Sequence, residues 1–304
     1  MNIFKNILTL LLLLLMNTVS AQQEALYSQY MFNQFTINPA YAGTRNALSS
    51  VLLYRSQWAG LDGAPNTMNF SIHSPFSGRN MALGLNFIFD EIGPTETSKI
   101  LGTYAYHLKT SKGKISFGLR GGLISRALRN DMLNFFDNND VHNTGGVFQV
   151  NAPIFDFGLY YYTSSVYAGL SVNNMLTQKY VNSGQSKFNY DTHIMFATGG
   201  VVVLSENLVL KPSLMLRHVA HMPLSYELTS SVLLNKTLWL GASYRSSKNI
   251  VFITEYNISD FLRIGYSFDL DLSILRRYNT GSHEVFIGCD LNLQKDKSIS
   301  PRYL

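Results

Sequence analysis

Apolar and polar residues alternate along most of this chain with a period of two. In the stretch 261–272, the residues of one parity are all apolar, namely Leu262, Ile264, Tyr266, Phe268, Leu270 and Leu272. The residues between them are polar or small: Arg263, Gly265, Ser267, Asp269 and Asp271. Because the side chains of a β-strand point alternately to its two faces, this pattern predicts a strand with one apolar face. A tilted strand of about ten residues is also long enough to span a bilayer.

The same alternation recurs in a series of segments after residue 46. We predict fourteen strands, at 47–56, 66–74, 80–90, 97–109, 113–125, 154–163, 165–173, 190–204, 206–217, 224–235, 237–246, 249–258, 261–271 and 283–293. An even number fits a closed single-chain barrel with both termini on one side, and closure leaves no unpaired strand edge in lipid. The sequence therefore predicts an all-β fold, a transmembrane antiparallel β-barrel of about 14 strands with an N-terminal pre-barrel segment.

The connections between the predicted strands alternate in length. Every second connection is short, at 75–79, 110–112, 164, 205, 235–236 and 259–260. The others are mostly longer, the longest being 126–153, and 247–248 is the exception. If the N-terminus is periplasmic, the tight turns are periplasmic and the long loops are external. Pro212 lies inside a predicted strand, where it predicts a bulge or a shifted boundary because proline cannot donate to the ladder.

The N-terminus predicts export. Residues 1–21 have the positive start, the short apolar core and the small-residue cleavage site of a signal peptide, with cleavage after Ala21. A membrane anchor is the alternative, although the apolar run is short for a spanning helix. Residues 22–46 lack alternation, and we expect them to lie in the lumen or at the periplasmic rim, the alternative being an ordinary N-terminal strand. The barrel would then occupy 47–293, and 294–304 would form a C-terminal tail in an outer-membrane protein.

Composition agrees with a membrane barrel. Charged residues make up 14% of the chain, against roughly 25% in soluble domains, while aromatic residues reach 13%. The net charge of +5 is spread without a Lys/Arg run, which gives no indication of nucleic-acid binding. Cys289 is the single cysteine, so an intramolecular disulfide is excluded.

Candidate catalytic and metal-binding groups are few. His73-Ser74 and Asp191-Thr192-His193 contain hydrolase residue types, and since such sites depend on geometry, a barrel hydrolase remains a hypothesis centred on His73. The histidines and acidic residues lack metal-ligand spacing, and the oxygen-rich stretch 137–140 lacks the glycine and glutamate of an EF-hand. We therefore expect no cofactor, no metal and no enzymatic activity.

Basic residues recur on the polar parity of the predicted strands. Either they form a charged channel wall or they pair with acidic residues across the lumen, such as Glu227, Glu255 and Asp269. The many Gly, Ser and aromatic residues of the same parity favour pairing over an empty pore. The basic residues are Arg120, Lys211, Arg217, Arg245 and Arg263.

Several stretches resemble a known family. YSQYMFNQFTINPAYAG at 27–43 is similar to the N-terminal signature of the PorP/SprF membrane proteins of the Bacteroidetes type IX secretion system. The resemblance continues through YRSQWAGLDGAPNT at 54–67, SFGLRGG at 116–122, FGLYYY at 157–162, GYSFDL at 265–270 and GSHEVFIG at 281–288, and so covers nearly the whole mature chain. Leu61 departs from the pattern, which leads one to expect an aromatic residue before Asp62-Gly63.

The resemblance implies an outer-membrane barrel, without enzymatic activity, that serves protein secretion, adhesin delivery or gliding motility. Its expected partners are a secreted protein with a C-terminal sorting domain, periplasmic components of the secretion machine and outer-membrane lipid. Binding would use the outer loops, the lumen or the N-terminal signature, and a passive outer-membrane pore for small solutes is the alternative function. Within the signature, the candidate partner-contact residues are Tyr27, Tyr30, Met31, Phe32, Asn33, Asn38, Pro39, Tyr41 and Gly43.

Overall fold

The structure, a computed structural model, describes residues 27–76, 80–133, 146–176, 179–182, 186–189, 191–220 and 222–292. The predicted signal peptide, the oxygen-rich stretch 137–140 and the predicted tail 294–304 lie outside the described residues.

Antiparallel β-strands make up most of the described chain. In chain order they are β1 Leu48–Ser56, β2 Asn66–Pro75, β3 Met81–Ile92, β4 Thr95–Lys109, β5 Lys114–Arg129, β6 Val147–Tyr162, β7 Val166–Asn173, β8 Lys179–Asn182, β9 Ser186–Asn189, β10 His193–Gly200, β11 Val202–Ser205, β12 Leu208–Val219, β13 Ser225–Leu234, β14 Leu238–Arg245, β15 Asn249–Asn257, β16 Leu262–Asp271 and β17 Ser282–Leu291. Single turns of 3₁₀-helix are found at Tyr30–Phe32, Gln34–Thr36, Pro39–Tyr41, Asn130–Met132 and Ile274–Arg277.

The strands form a closed ring. From β1 to β7 and from β12 to β17 each strand pairs with its sequence neighbours, β1 pairs with β17 from Leu48↔Leu291 to Ser56↔His283, and β10 pairs with both β7 and β12. β10 and β11 are two parts of one interrupted strand, because both follow the same register along β12, and β8 and β9 form a separate hairpin. The wall is therefore a closed 14-stranded antiparallel barrel, which confirms the predicted fold.

The structure refines several strand boundaries. β5 and β6 extend to Arg129 and back to Val147, so the longest predicted loop is shorter than 126–153, and only Gly93 and Pro94 separate β3 from β4. In the added part of β6 the apolar residues Phe148, Val150 and Ala152 lie on the inward parity and Gln149 and Asn151 on the outward parity, which reverses the polarity of the pattern from which the strands are predicted.

Pro212 lies inside β12, opposite the break between β10 and β11. The ladder on this side of β12 is therefore already interrupted at the position where proline has no N–H to donate. A register irregularity follows between Val203 and Ser205. The proline is thus accommodated by a gap in the neighbouring strand.

The two faces of the wall differ in polarity. On β5, Leu119 is 61% exposed on the outside, whereas the adjacent Arg120 is 4% exposed on the inside. The outward residues form an apolar, lipid-facing belt, as expected for a barrel in a membrane. No helix in the described part of the chain has the length and apolar character needed to cross a membrane. The buried core lies within the ring, where inward side chains meet residues 27–44.

Candidate functional site

The N-terminal signature lies inside the barrel. Residues 27–44 are all buried, and they form short 3₁₀ turns rather than a strand. Asn38 begins the third turn, because its side chain accepts a hydrogen bond from the Ala40 N–H at 2.9 Å and Pro39 follows it at the first helical position. We call residues 27–45 the lumen segment.

All nine candidate contact residues belong to the lumen segment, and the structure brings them together in the barrel interior. Tyr30 and Met31 are each 1% exposed. Gly43 has a φ of +76°, and a β-carbon there would overlap the side chain of Ala82. In this arrangement the nine residues contact strands of their own chain, so direct contact with a partner stays a prediction.

Side chains of the wall bind the backbone of the lumen segment. Short 3₁₀ turns leave many carbonyl groups unpaired, and a buried carbonyl without a partner is costly. Arg120 donates to the carbonyls of Phe35 and Thr36 at 3.1 and 3.2 Å. Ser171 donates to the Ile37 carbonyl at 2.8 Å. Further donors are Lys211 to Met31, Arg263 to Phe32, Asn173 to Ile37 and His107 to Ala42.

One end of the lumen segment is bound by a buried ion cluster. The N–H groups of Ser28 and Gln29 both donate to the Glu284 carboxylate at 2.9 Å. The Ser28 hydroxyl donates to Asp269 at 2.7 Å and accepts from Arg55 at 2.7 Å. Arg55 also contacts Asp269 at 2.7 Å and Glu284 at 3.2 Å. Together with Arg245 and Glu227, which are joined at 2.8 Å, these residues form what we call the Ser28 cluster.

The other end of the segment is bound by a second group of wall residues. Arg45 pairs with Asp290 at 2.7 Å and also donates to the Tyr41 hydroxyl at 3.1 Å. The Gly43 N–H donates to His73 Nδ1 at 3.1 Å. The segment is therefore fixed at both of its ends as well as along its length.

Glycines in the wall give the segment room. A β-carbon at Gly118 would overlap the backbone of Ala40, and one at Gly158 would overlap the Asn38 side chain. Both glycines belong to the sequence motifs SFGLRGG and FGLYYY. Their role is to let the lumen segment approach the backbone of the wall closely, which only glycine permits.

The basic residues of the lumen form ion pairs with acidic residues in addition to binding the lumen segment. Arg120 lies 2.6 Å from Asp156, and Arg263 lies 3.4 Å from Glu255. Lys211 is placed over the rings of Phe32 and Trp239, at 5.6 and 5.8 Å from their centroids. Arg217 is also buried. This arrangement supports the pairing interpretation over a charged channel wall.

The candidate hydrolase residues have structural contacts. His73 is buried, accepts from Gly43, and packs edge-on against Phe35 and Tyr41. The Thr192 hydroxyl donates to the Asn174 carbonyl at 3.0 Å. Across the described residues, no group of three or more His, Cys, Asp or Glu side chains is placed to hold a metal ion.

Sequence reasoning missed part of the Ser28 cluster. Arg55 and Glu284 lie on the inward parity of β1 and β17, and this parity is the one sequence feature that indicates a position in the lumen. They are directly paired in the register of the seam that closes the barrel. That pairing joins the first and last strands and cannot be read from local pattern.

Solved structures of outer-membrane barrels are similar to this chain. Omp33 of Acinetobacter baumannii has 9% identity and a TM-score of 0.45, with 81% of this chain and 99% of that chain covered. The Pseudomonas putida toluene transporter TodX has 11% identity and a TM-score of 0.48, with 89% and 95% covered. The CymD monoaromatic hydrocarbon channel has 11% identity and a TM-score of 0.49, with 85% and 91% covered. Among curated proteins none matches.

The family comparison covers most of the chain. The family described as "Type IX secretion system membrane protein PorP/SprF" matches residues 19–289. This span includes the lumen segment, the glycines that accommodate it and the strands of the Ser28 cluster. The chain belongs to the PorP/SprF family of type IX secretion system membrane proteins.

Proposed function

We propose that this outer-membrane barrel is a non-enzymatic component of the type IX secretion system that engages a secreted protein through the C-terminal sorting domain of that protein. Family membership supports the role in secretion. The observation that carries the proposal is the filled lumen, in which residues 27–44 are buried and hydrogen-bonded to the wall. A lumen occupied in this way favours a binding role over the alternative of a passive solute pore.

The loops between β1 and β2 and between β16 and β17 supply a binding surface. They are joined by hydrogen bonds from the Ala59 N–H to Gly281 at 2.8 Å and from the Thr280 N–H to Ala59 at 2.9 Å. Ile274 is 71% exposed and Tyr278 is 66% exposed. We define the outer loop surface by six of the exposed residues of these loops, namely Leu61, Ile274, Leu275, Arg276, Arg277 and Tyr278.

This surface has properties suited to a protein partner. Ser273 caps the turn Ile274–Arg277 by accepting from the Leu275 N–H at 3.2 Å, and the Asn279 amide donates to the Leu275 carbonyl at 2.7 Å. These hydrogen bonds order the turn before a partner binds, so less conformational entropy is lost on association. Tyrosine and arginine are also enriched among the residues that dominate binding energy. We therefore assign the secreted partner to the outer loop surface, and the periplasmic components to the opposite end of the barrel.

The test is capture of a purified sorting domain from a protein secreted by the same system. We expect the wild-type barrel to capture it. The Ile274→Ser/Tyr278→Ser variant should bind it at least about tenfold more weakly, which corresponds to a loss of about 1.4 kcal/mol in the free energy of binding. Met132→Ser is the matched control, because Met132 is 54% exposed on another loop at the same end. A wild-type barrel that captures no sorting domain, together with unchanged secretion in a deletion strain, would refute the proposal. Ion conductance by the wild-type barrel in planar bilayers would favour the pore.

A further inference from the structure

Tight turns and longer connections lie at opposite ends of the barrel. The tight turns are 110–113, 163–165, 206–207, 235–237 and 258–261, and we call their end the short-turn end. The opposite end carries the connections 57–65, 130–146, 174–192 and 272–281. In outer-membrane barrels short turns are periplasmic and long loops are extracellular. The short-turn end of this barrel therefore faces the periplasm.

The turn between β4 and β5, at the short-turn end, carries three lysines. Lys109 and Lys114 are directly paired where the two strands end, and Lys112 lies in the turn between them. Directly opposite residues of an antiparallel pair have their Cβ atoms about 5 Å apart, and like charges in such positions destabilise a sheet. The pair of Lys109 and Lys114 therefore lowers the stability of the isolated barrel. We call these three residues the lysine turn.

The positive charge of the lysine turn is not balanced by the chain itself. Within the part of the chain that the structure describes, none of the three lysines forms an ion pair with a carboxylate. The two neighbouring turns at this end, 76–80 and 163–165, contain no Asp or Glu. Lys114 Nζ lies 5.9 Å from the centroid of the Tyr162 ring, and this favourable contact supplies no negative charge. The lysine turn can therefore accept an anionic group from another molecule.

The lysine turn is directed toward the mouth of the barrel and not toward the lipid. Lys109 has the inward parity of His107, and Lys114 has the inward parity of Ser116, both of which are buried in the lumen. The lipid-facing position next to Lys109 is taken by Leu108, which is 43% exposed. An acidic group that approaches from the periplasm therefore reaches the ammonium groups more directly than a lipid head group at the outer wall.

Hydrogen bonds hold the turn in one conformation. The Thr110 N–H and hydroxyl both donate to the Gly113 carbonyl, at 2.9 and 3.0 Å. The Gly113 N–H donates to the Thr110 hydroxyl at 3.1 Å. The backbone that carries the lysines is thus ordered in advance, which reduces the conformational entropy lost when a partner binds.

We propose that the lysine turn is the docking site for a periplasmic protein that presents clustered carboxylate groups. The proposal rests on the proposed function, because it names a chemical feature of the periplasmic partner at this end of the barrel. A carboxylate placed between Lys109 and Lys114 adds two attractive interactions to a repulsive pair, so association offsets the cost that the isolated barrel carries. Opposite charges on the two surfaces also accelerate their encounter.

The first experiment measures binding of a rhodamine-labelled hexaglutamate peptide to the purified full-length barrel in non-ionic detergent by fluorescence anisotropy. We expect the wild type to bind the peptide, and higher ionic strength to weaken the binding because exposed charges are screened. Lys112→Glu should bind at least about tenfold more weakly, since one of the three ammonium groups becomes a carboxylate. Lys236→Glu is the matched control, because Lys236 is exposed on the turn 235–237 at the same end. This control should bind the peptide like the wild type.

Lys109→Glu tests the repulsion between Lys109 and Lys114 separately. This change replaces a like-charge pair with opposite charges, so we expect the urea midpoint of the isolated barrel to rise by roughly 0.1–0.4 M. Binding of hexaglutamate should fall in the same variant. An unchanged or lower midpoint would contradict the claim that the lysine pair lowers stability.

In intact cells, a photoreactive benzoylphenylalanine in place of Ser111, an exposed residue of the same turn, reports what contacts the lysine turn. We expect ultraviolet light to link it to a periplasmic protein, and the added change Lys112→Glu to reduce that product. Equal binding of hexaglutamate by Lys112→Glu and Lys236→Glu, or the absence of a protein crosslink from position 111, would overturn the proposal. Either result would leave the proposed secretion role intact, since capture of the sorting domain is measured separately.

Discussion

Removal of the Arg55 guanidinium would leave the Glu284 carboxylate buried without a cationic partner. The Arg55 side chain is 3% exposed and contacts Asp269 at 2.7 Å and Glu284 at 3.2 Å. Breaking a buried ion pair by removing one partner costs about 3–5 kcal/mol. Arg245 still contacts Asp269 at 3.1 Å in the variant, so we expect Arg55→Gln to lower the free energy of unfolding by about 3 kcal/mol.

The measurement is urea unfolding of the purified barrel in detergent, followed by tryptophan fluorescence. Trp239 is 4% exposed, and its ring centroid lies 6.0 Å from that of Phe32 in the lumen segment, so it reports on the interior. With an m-value of about 2–3 kcal/mol/M, a loss of about 3 kcal/mol lowers the midpoint by roughly 1 to 1.5 M.

Arg129→Gln is the matched control for this change. Arg129 pairs with Glu96, but the two side chains are 45% and 23% exposed. Exposed pairs contribute about 0–1 kcal/mol, so the midpoint of this variant should stay close to that of the wild type. Equal midpoints for Arg55→Gln and Arg129→Gln would refute the claim that the Ser28 cluster stabilises the barrel.

A double-mutant cycle separates lost pairing from a general disturbance. Glu284→Gln removes the charge that Arg55 neutralises, so the double variant no longer holds an unpaired carboxylate at that position. We expect the double variant to lose less stability than the sum of the two single variants, by about 1 kcal/mol or more. Strict additivity would show that the two residues act independently, against the contact at 3.2 Å.

Two further predictions concern the lumen and the lipid-facing wall. Gly118→Val should displace the lumen segment, because its side chain would overlap the backbone of Ala40. We therefore expect this variant to conduct ions in planar bilayers more strongly than the wild type, and equal conductance would contradict the prediction. Gly102→Ala, whose added carbon would meet its nearest neighbour at 3.8 Å, is the control and should conduct like the wild type. Leu119→Lys places a charge in the lipid-facing belt, so we expect it to lower the free energy of unfolding in a lipid-reconstituted titration by about 2–4 kcal/mol. Met132→Lys, on an exposed loop, is the control and should leave the free energy of unfolding nearly unchanged. A similar loss of stability in both variants would contradict a lipid-facing Leu119.

The wall could be predicted from sequence because its signal is local. Alternation along β16 places Ile264 and Tyr266 outside and Arg263 and Asp269 inside, as the structure has them. Each such strand is specified by the requirement that one face meets lipid and the other does not. β5 extends beyond its predicted end. Ser125 and Arg126 interrupt the alternation of apolar and polar residues, whereas the backbone ladder continues to Arg129.

The path of the lumen segment could not be predicted in the same way. Its 3₁₀ turns are too short to give a periodic signal, and all of its faces are buried, so no polar side marks solvent. Its direction depends on which carboxylates reach Ser28. Asp269 and Glu284 are more than 240 positions away in the chain, and they reach it only after β17 pairs with β1.

The wall and the lumen segment therefore depend on each other for stability. Without the segment, the Glu284 carboxylate would lose two N–H donors and the Arg120 guanidinium would lose two carbonyl acceptors, all of them inside a narrow ring. Without the wall, the carbonyls of Phe35, Thr36 and Ile37 would lack the donors that satisfy them. Buried polar groups left in this state are each costly. The same interactions that close the lumen thus complete the barrel core, so a variant that opens the lumen should also be less stable.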